Sequence, residues 1–321
     1  MPQSFNVLIT SLSNKVPLIR EVRKALMKIN VGGLLIGADS NPECIGRYFV
    51  DDFWEMPTTD RLDPADVVRY CKASGIRLII PTRDGELFFF AENRGLFNSN
   101  GIAVMIASPE SVQTCLDKRE FFNALKNKNG LNPIPTFDHP DSNCRERWVM
   151  KERFGSGSRN IILNLSVEEA RLSLNRFEKP ICQPYVEGRE FSIDLYISQK
   201  AVPKGCVVRT RDSVVNGESQ VTTTVDRPDI EKACLETAVI IGLTGHTLFQ
   251  IIEDSSGSLN ILECNCRFGG ASTLSVAAGL DSFYWFFGEC LGDDLSDVPF
   301  VKIPFGLRQI RYAEDRIIQA T

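Results

Sequence analysis

Short apolar runs alternate with amphipathic helical segments over the first third of the chain. The runs LLI, LII and VMI are continuously apolar, which is typical of strands covered on both faces of a sheet. Strands that alternate with helices of this length predict a doubly wound parallel sheet. The predicted strands are 5–9, 32–39, 76–82 and 102–108, and the predicted helices are 17–29 and 63–75.

The pattern changes after residue 108, where two short helices are predicted. Ser108 and Asp117 are placed to cap them with side-chain oxygens. From residue 148 onward, strand alternation and hairpin turns dominate, which indicates an α+β region. Its predicted helices are 166–177 and 228–241, and the predicted domains are 1–108 and 109–321.

Composition narrows the class of protein. The 321-residue chain has a net charge of −5, whereas nucleic-acid binders usually carry a basic excess, so no nucleic-acid partner is predicted. No apolar run reaches 18 residues, and the first residues read as a strand and not as a signal peptide, so no membrane association is predicted. Most of the ten cysteines lie inside apolar runs, as in a reducing compartment, which predicts a cytoplasmic protein.

Two absences limit the possible chemistry. The chain has only two histidines, His139 and His246, which argues against a His-rich metal site or a His-based triad. We interpret both as surface or loop residues. The first loop, TSLSNKVP, lacks the G-x-G-x-x-G pattern that brings backbone close to a pyrophosphate, so no NAD or FAD site is predicted.

A glycine-rich loop follows a predicted strand that carries Lys151. The segment VMKERFGSGSRNI places Gly-Ser-Gly-Ser at 155–158, between two strands. Small residues let backbone N–H groups approach an anion, although the loop alone fits a plain hairpin equally well. An inward lysine is costly unless it meets an anion, and Lys151 therefore favours phosphate binding.

The segment ICQPYVEGREFSIDLY, 181–196, predicts two strands and brings three carboxylates close in sequence. Pro184 lacks an N–H, which suits an edge strand or a linker. Glu187 is explained as an ordinary surface carboxylate. Glu190 and Asp194 complete the cluster, and a surface position explains Glu190 less well because apolar residues follow it.

The stretch ILECNCRFGG, 261–270, forms half of a predicted hairpin closed by the loop 255–258. Opposed positions then sum to 513, which places Gln250 opposite Glu263 and Ile251 opposite Leu262. One face carries Gln250, Glu263, Asn265 and Arg267, and the other carries Phe249, Ile251, Leu262, Cys264 and Cys266.

The polar face of this hairpin collects oxygen ligands beside a cation. Such ligands suit Mg²⁺, and Arg267 is placed to hold a phosphoryl group or an acyl phosphate. A thiolate metal site is the alternative, but two cysteines without a nearby partner make a poor zinc site. We therefore interpret Cys264 and Cys266 as packing residues, whose replacement should reduce stability more than activity.

The order of these motifs resembles the ATP-grasp superfamily, and within it the branch similar to a carbamoyl-phosphate synthase large-subunit repeat. The motifs are LDK at 116–118, MKERFGSGS, QPYVEGREFSID and FQ…LECNCRFGG. The resemblance covers roughly residues 4 to 290. It implies an N-terminal Rossmann-like (pre-ATP-grasp) domain followed by a two-subdomain ATP-grasp fold, with a nucleotide lid at about 147–187. Cys266 and His246 depart from the family, which commonly has proline at both positions.

The resemblance implies roles for the matching residues. Lys118 and Lys151 correspond to lysines on the nucleotide phosphates, and 155–159 corresponds to a flap over them. The Pro184 carbonyl and the Val186 N–H would meet adenine. The implied ATP-binding residues are Lys118, Lys151, Gly155, Ser156, Gly157, Gln183, Pro184, Tyr185, Val186 and Glu190, the implied metal ligands are Gln250, Glu263 and Asn265, and the implied catalytic residues are Arg267 and Lys151.

The resemblance also implies a reaction. With ATP and Mg²⁺ (two ions, replaceable by Mn²⁺), a carboxylate becomes an acyl phosphate, and an amine attacks it to give an amide. Small-molecule carboxylate and amine substrates and a homodimer are expected. Arg209 and Arg211 alternate onto one strand face and either hold the substrate carboxylate or form a solvated surface. The alternatives are a bicarbonate- or carbamate-phosphorylating enzyme and a non-catalytic ATP-binding module.

Overall fold

A five-stranded parallel sheet with the order β3-β2-β1-β4-β5 forms the first part of the chain. The computed structural model describes residues 5–128, 130–141, 147–155, 160–303 and 305–319. The strands of this sheet are β1 (Asn6–Thr10), β2 (Leu35–Asp39), β3 (Asp52–Glu55), β4 (Ile76–Ile80) and β5 (Ala103–Val104), and its helices are α1 (Val16–Ile29), α2 (Pro64–Ala73), α3 (Asp84–Glu92) and α4 (Arg94–Ser99).

Apolar packing covers both faces of this sheet, as the continuously apolar strands predict. Val7 and Ile9 of β1 pack in one cluster with residues of α1, whereas Leu8 packs in a second cluster with residues of α2 and α3. The predicted doubly wound sheet is confirmed. β2 starts later than predicted because Gly32 and Gly33, which precede it, adopt positive φ angles outside the strand region.

Two capped helices, α5 (Pro109–Leu116) and α6 (Lys118–Leu125), follow β5 as predicted. Ser108 caps α5 and Asp117 caps α6, each through a side-chain oxygen. Asp117 also forms a bidentate ion pair with Arg153 at 2.8 and 2.6 Å. This pair ties the start of α6, and with it Lys118, to the segment before the glycine-rich loop.

A small antiparallel sheet with the order β8-β7-β9 carries the next part of the chain. Its core consists of Trp148, Met150, Ala170 and Cys182. Pro184 ends an edge strand, in agreement with its missing N–H. The elements are β7 (Trp148–Glu152), β8 (Ile161–Leu165), α7 (Val167–Ser173) and β9 (Pro180–Pro184).

The largest sheet has the order β12-β13-β11-β10-β14-β15-β6, and β16 pairs with β13. One of its faces packs on α8 in the apolar cluster that also contains Leu8. No helix in the described part of the chain is long and apolar enough to cross a membrane. The elements are β6 (Asn132–Pro133), β10 (Gly188–Ile197), β11 (Pro203–Thr210), β12 (Ser213–Val215), β13 (Glu218–Val225), α8 (Pro228–Ile241), β14 (Gly245–Asp254), β15 (Leu259–Asn265), α9 (Ser272–Ala277), α10 (Ser282–Leu291) and β16 (Arg308–Ile310).

β14 and β15 form the predicted hairpin with one correction. Gln250 lies opposite Glu263, as predicted. A bulge follows this pair, so Ile251 pairs with Ile261 and not with Leu262. An extra residue in one strand re-aims the side chains beside it. Leu262 therefore lines the cleft described below, and the prediction that it shares the face of the cysteines is wrong.

Candidate functional site

A cleft of about 860 Å³ lies between the small antiparallel sheet and the polar face of the large sheet. This volume is typical of a small-molecule site. Every predicted site residue that the structure describes lines this cleft. They are Lys118, Lys151, Gly155, Gln183, Pro184, Tyr185, Val186, Glu190, Arg209, Arg211, Gln250, Glu263, Asn265 and Arg267. Ser156, Gly157 and the remainder of the predicted flap through Arg159 lie outside the described residues.

Sheet register assembles the polar floor of the cleft. Ser192 on β10 lies opposite Arg209 on β11 and opposite Gln250 on β14, and Gln250 lies opposite Glu263 on β15. These four positions form one row across four neighbouring strands. Directly opposed side chains in such a row have Cβ atoms about 4.5–5.5 Å apart.

The candidate metal ligands of β14 and β15, which all offer oxygen atoms, line the same cleft. Asn265 Nδ2 donates to Glu263 Oε1 at 3.1 Å, and Asn265 Oδ1 accepts from Arg267 Nη2 at 3.3 Å. Gln250 adds an amide oxygen across the hairpin. One carboxylate and two amides form an all-oxygen donor set, which fits Mg²⁺.

Two lysines approach the cleft from the opposite side to these donors. Lys151 on β7 is only 7% exposed, and within the described part of the chain no hydrogen bond or ion pair of its ammonium is found. Burial lowers the pKa of Lys151 to about 8, and Glu263 partly opposes this shift. Lys118 Nζ donates to the Gly155 carbonyl at 2.9 Å, and burial also lowers its pKa. An unpaired buried ammonium is costly, so this arrangement favours an anion between the lysines.

Arg267 is fixed by a carboxylate at the start of α3. Its Nε and Nη2 donate to the two oxygens of Asp84 at 2.8 and 2.6 Å. Burial by itself lowers the pKa of the Arg267 guanidinium, but Asp84 more than offsets this and raises it. This pair could not be predicted from the sequence, because 183 residues separate its partners and only tertiary packing brings them together.

Asp194 does not belong to a surface cluster with Glu187 and Glu190, and this prediction is wrong. It is fully buried and accepts hydrogen bonds from Arg209 Nε at 2.8 Å, from Ser275 Oγ at 2.6 Å and from Ser272 Oγ. Burial alone would raise the pKa of Asp194, but Arg209 and its hydrogen-bond donors hold it well below its usual range. The carboxylate is therefore ionised inside the protein.

His246 is also buried, and its interpretation as a surface or loop residue is wrong. Its Nε2 lies 3.2 Å from Asp194 Oδ1, and its ring stacks on Phe268 with centroids 3.7 Å apart. Burial lowers the pKa of His246, and Asp194 partly opposes this shift. Strand parity could have found it, because His246 alternates with Leu248 and Gln250 along β14. His139 is exposed and outside helices and strands, as expected.

Neither Arg209, on β11, nor Arg211, which follows that strand, lies on a solvated surface. Arg209 is 2% exposed, and its Nη1 is buried without a hydrogen-bond partner among the described residues. Arg211 Nε lies 2.9 Å from Glu190 Oε2, and Arg211 Nη2 donates to the Gly217 carbonyl at 3.0 Å. Both arginines line the cleft, and guanidinium groups in such a position favour an anionic ligand.

The end of the cleft near β9 is more apolar. Gln183 Nε2 donates to Thr136 Oγ1 at 2.8 Å, and the Tyr185 N–H donates to the Arg147 carbonyl at 2.7 Å. These bonds fix the strand end that leads to Val186. Apolar side chains that were not predicted to belong to the site also line the cleft, including Ile134, Val149, Leu163 and Leu262.

On the side of β15 away from the cleft, a cysteine from α5 joins Cys264 and Cys266. Cys264 and Cys266 are buried and pack in the apolar cluster with Phe249, as predicted. Cys115 of α5 joins them, and the three Sγ atoms all lie within 4.8 Å of one another. The assumption that these two cysteines lack a nearby partner is wrong, because α5 packs against β15.

Two protein-family models match the chain. The model for the N-terminal domain of PylC-like proteins matches residues 7–105, and the model described as ATP-grasp in the biosynthetic pathway with Ter operon matches residues 176–313. None of the curated proteins compared with the chain matches it.

Solved structures share the fold at low sequence identity. The biotin carboxylase domain of Hydrogenobacter thermophilus 2-oxoglutarate carboxylase, solved as a dimer with MgADP, ADP and bicarbonate, superposes with a TM-score of 0.73 at 15% identity over 93% of this chain and 73% of that one. N5-carboxyaminoimidazole synthetase from Staphylococcus aureus with ADP superposes with a TM-score of 0.70 at 14% identity over 92% of this chain and 79% of that one. L-amino acid ligase from Bacillus licheniformis superposes with a TM-score of 0.69 at 16% identity over 91% of this chain and 75% of that one. Residues 176–313 thus match an ATP-grasp family model, and the chain as a whole has the fold of these solved structures.

Proposed function

We propose that this protein is an ATP- and Mg²⁺-dependent ligase that converts a carboxylate to an acyl phosphate and couples it to an amine. The observation that carries this proposal is the composition of one cleft. Two lysines, an arginine and three oxygen ligands converge there from four parts of the fold. This set suits phosphoryl transfer, in which positioning and charge neutralisation do most of the catalytic work.

Each side of the cleft has a separate task in this proposal. Lys118 and Lys151 hold the nucleotide phosphates, and the apolar end beside Val186 and Leu262 receives the adenine. Glu190 lies near the ribose. Gln250, Glu263 and Asn265 would hold Mg²⁺, which neutralises phosphate charge when it is bound. Arg267, held in place by Asp84, contacts the phosphoryl group as it moves to the carboxylate oxygen.

Arg209 and Arg211 bind the substrate carboxylate in this proposal. The unpartnered Nη1 of Arg209 supports this role, since Asp194 occupies only the Nε side of the guanidinium. Arg209→Lys keeps a positive charge but loses the planar fork. We expect it to raise KM for the carboxylate roughly tenfold, equivalent to about 1.4 kcal/mol, and to leave KM for ATP unchanged. An equal rise in both KM values would contradict the assignment.

A phosphate-release screen tests the proposed reaction. The purified protein is incubated with ATP, Mg²⁺ and pooled amino acids, with and without bicarbonate. We expect ADP and phosphate to form only when a carboxylate substrate and an amine are both present. A requirement for bicarbonate would instead identify a bicarbonate- or carbamate-phosphorylating enzyme. Nucleotide binding without turnover on broad substrate pools would identify a non-catalytic module.

Glu263→Gln tests the metal assignment within this proposal. We expect the variant to lose Mg²⁺-dependent turnover about 100-fold or more, because a transition-state charge contact is removed. Glu187→Gln is the matched control, since Glu187 lines the same cleft but lies outside the ligand row. Thermal melting checks that both variants fold. Full turnover in Glu263→Gln would show that the metal assignment is wrong.

A homodimer and the division of the chain at residues 108 and 109 remain part of the proposal. The 2-oxoglutarate carboxylase domain was solved as a dimer, which supports the first point by analogy. Light scattering on the purified protein would distinguish a monomer from a dimer. Limited proteolysis would locate accessible domain junctions.

A further inference from the structure

Three cysteine side chains converge behind the oxygen-ligand face of the β14–β15 hairpin. Cys264, near the end of β15, and Cys266, just after it, alternate with Glu263 and Asn265, so the sulfur atoms lie on one face and the oxygen ligands on the other. Cys115 approaches from the last turn of α5. Their three Sγ atoms lie within 4.8 Å of one another.

A small cavity touches this group. Its volume is about 30 Å³, and Cys115, Cys264 and Cys266 all line it together with Lys118 and Asp84. This volume exceeds the ~10–15 Å³ that one water molecule requires. The three cysteines therefore border a space large enough for one ion or one ion-bound water.

Ligand softness decides which ion suits this position. Thiolates select soft ions such as Cu⁺ and Zn²⁺, whereas Mg²⁺ prefers oxygen ligands. A metal–sulfur bond of about 2.3 Å places tetrahedral sulfur atoms about 3.8 Å apart, so the observed spacing needs only small side-chain rotations. Lys118 beside the cavity offsets part of the negative charge of three thiolates.

We propose that Cys115, Cys264 and Cys266 form a thiolate site for one soft d¹⁰ metal ion of the Zn²⁺ or Cu⁺ class. Each Sγ–H bond breaks as a metal–sulfur bond forms, and the proton passes to water without any change of oxidation state. For a tetrahedral ion, a water in the cavity completes the coordination. The site links α5 to β15, so occupation stabilises the fold. The evidence for this site does not rest on the proposed ligase activity.

Cadmium titration tests this site directly. Metal-free protein, kept reduced with a non-thiol phosphine, is titrated with Cd²⁺ while the ultraviolet thiolate-to-metal charge-transfer band and Tm are followed. We expect one Cd²⁺ per chain and a rise in Tm. Displacement of Cd²⁺ by Zn²⁺ or by Cu⁺ then shows which ion the site prefers.

Single cysteine variants locate the bound ion. Cys115→Ser, Cys264→Ser and Cys266→Ser should each weaken Cd²⁺ binding at least tenfold. Cys71→Ser is the control, since Cys71 is a buried cysteine of the same apolar cluster outside this group. Glu263→Gln should keep the charge-transfer band, because sulfur and not the oxygen face provides the ligands.

Three results would contradict the proposal of a thiolate site. They are the absence of a stoichiometric band, undiminished binding by Cys115→Ser, and an equal loss in Cys71→Ser. If the two strand variants fail to fold, Cys115→Ser still decides the question, because Cys115 lies near a helix end and is only partly buried. Turnover measured on the same samples separates this site from the ligase proposal, which a failed titration leaves intact.

Discussion

Lys151 shows at the scale of one residue how burial prepares a site for an anion. Its ammonium is buried near Glu263 and Lys118, and burial lowers its pKa to about 8. A phosphate bound beside Lys151 would stabilise the charged form of this lysine. The ordinary lysine pKa is about 10.4, so the free protein holds this proton unusually weakly.

Nucleotide affinity should therefore depend on pH above neutrality. Below pH 8 Lys151 is already protonated and binds phosphate. Above pH 8 the free protein must first take up a proton, so affinity falls by up to about tenfold per pH unit. Calorimetric titration with ADP between pH 7 and pH 9.5 measures this slope.

Lys151→Met provides the comparison for this slope. We expect the variant to bind ADP at least about tenfold more weakly, because a buried charge–phosphate contact is lost. Its affinity should also lose the decline near pH 8. An equally steep decline in the variant would assign the titration to another group, such as Lys118.

Other residue-scale features were only partly predictable. The placement of Glu263, Asn265 and Arg267 on one face follows from alternation along a strand, which the sequence displays directly. The burial of Asp194 and His246 was missed. Charged and aromatic-nitrogen side chains are usually exposed. Burial of Asp194 is tolerable because Arg209, Ser272 and Ser275 donate to it, and burial of His246 because Asp194 and Ser282 lie within hydrogen-bond distance of its ring nitrogens.

At the scale of elements, the bulge in β15 decides which side chains form the cleft. On the side of the bulge nearer the hairpin loop, Ile251 pairs with Ile261, and on the other side Gln250 pairs with Glu263. Leu262 is the additional residue and lines the cleft. The loop at 255–258 predicted the hairpin correctly, but loop length does not reveal a bulge further along the strand.

Deletion of Leu262 should separate hairpin pairing from the cleft wall. The deletion gives both parts of the hairpin one continuous register, so Gln250 still faces Glu263. We expect the protein to fold and ADP affinity to fall about tenfold, because one leucine's apolar contact is lost. Circular dichroism and calorimetric titration measure the two effects, with Leu262→Ala as the control for the side chain alone. Unchanged affinity in both variants would exclude Leu262 from the nucleotide wall.

At the scale of the whole molecule, a mostly buried ion pair joins the first sheet to the cleft. Asp84 begins α3, and Arg267 directly follows the ligands of β15. Both side chains are about 15% exposed. The pair therefore couples the position of Arg267 to the packing of the first sheet on the large one.

Asp84→Asn should weaken this connection. Removal of one partner leaves the other charge buried, so we expect the free energy of unfolding to fall by about 3 kcal/mol. Glu314→Gln is the matched control, because the Arg20–Glu314 pair also joins distant segments but is about half exposed. The control should change stability little, since exposed pairs are screened by water. Denaturant unfolding of both variants measures the difference, and equal effects would contradict the argument.

The sequence by itself determined the features that depend on backbone periodicity and local capping. These are the parallel sheet, the capped helices, the hairpin and the separation of oxygen from sulfur along β15. Only the tertiary structure decided the pairing of Arg267 with Asp84, the approach of Cys115 to the other two cysteines and the burial of Asp194. Alternation fixes the face on which a side chain lies, but its partner across the molecule depends on how whole elements pack.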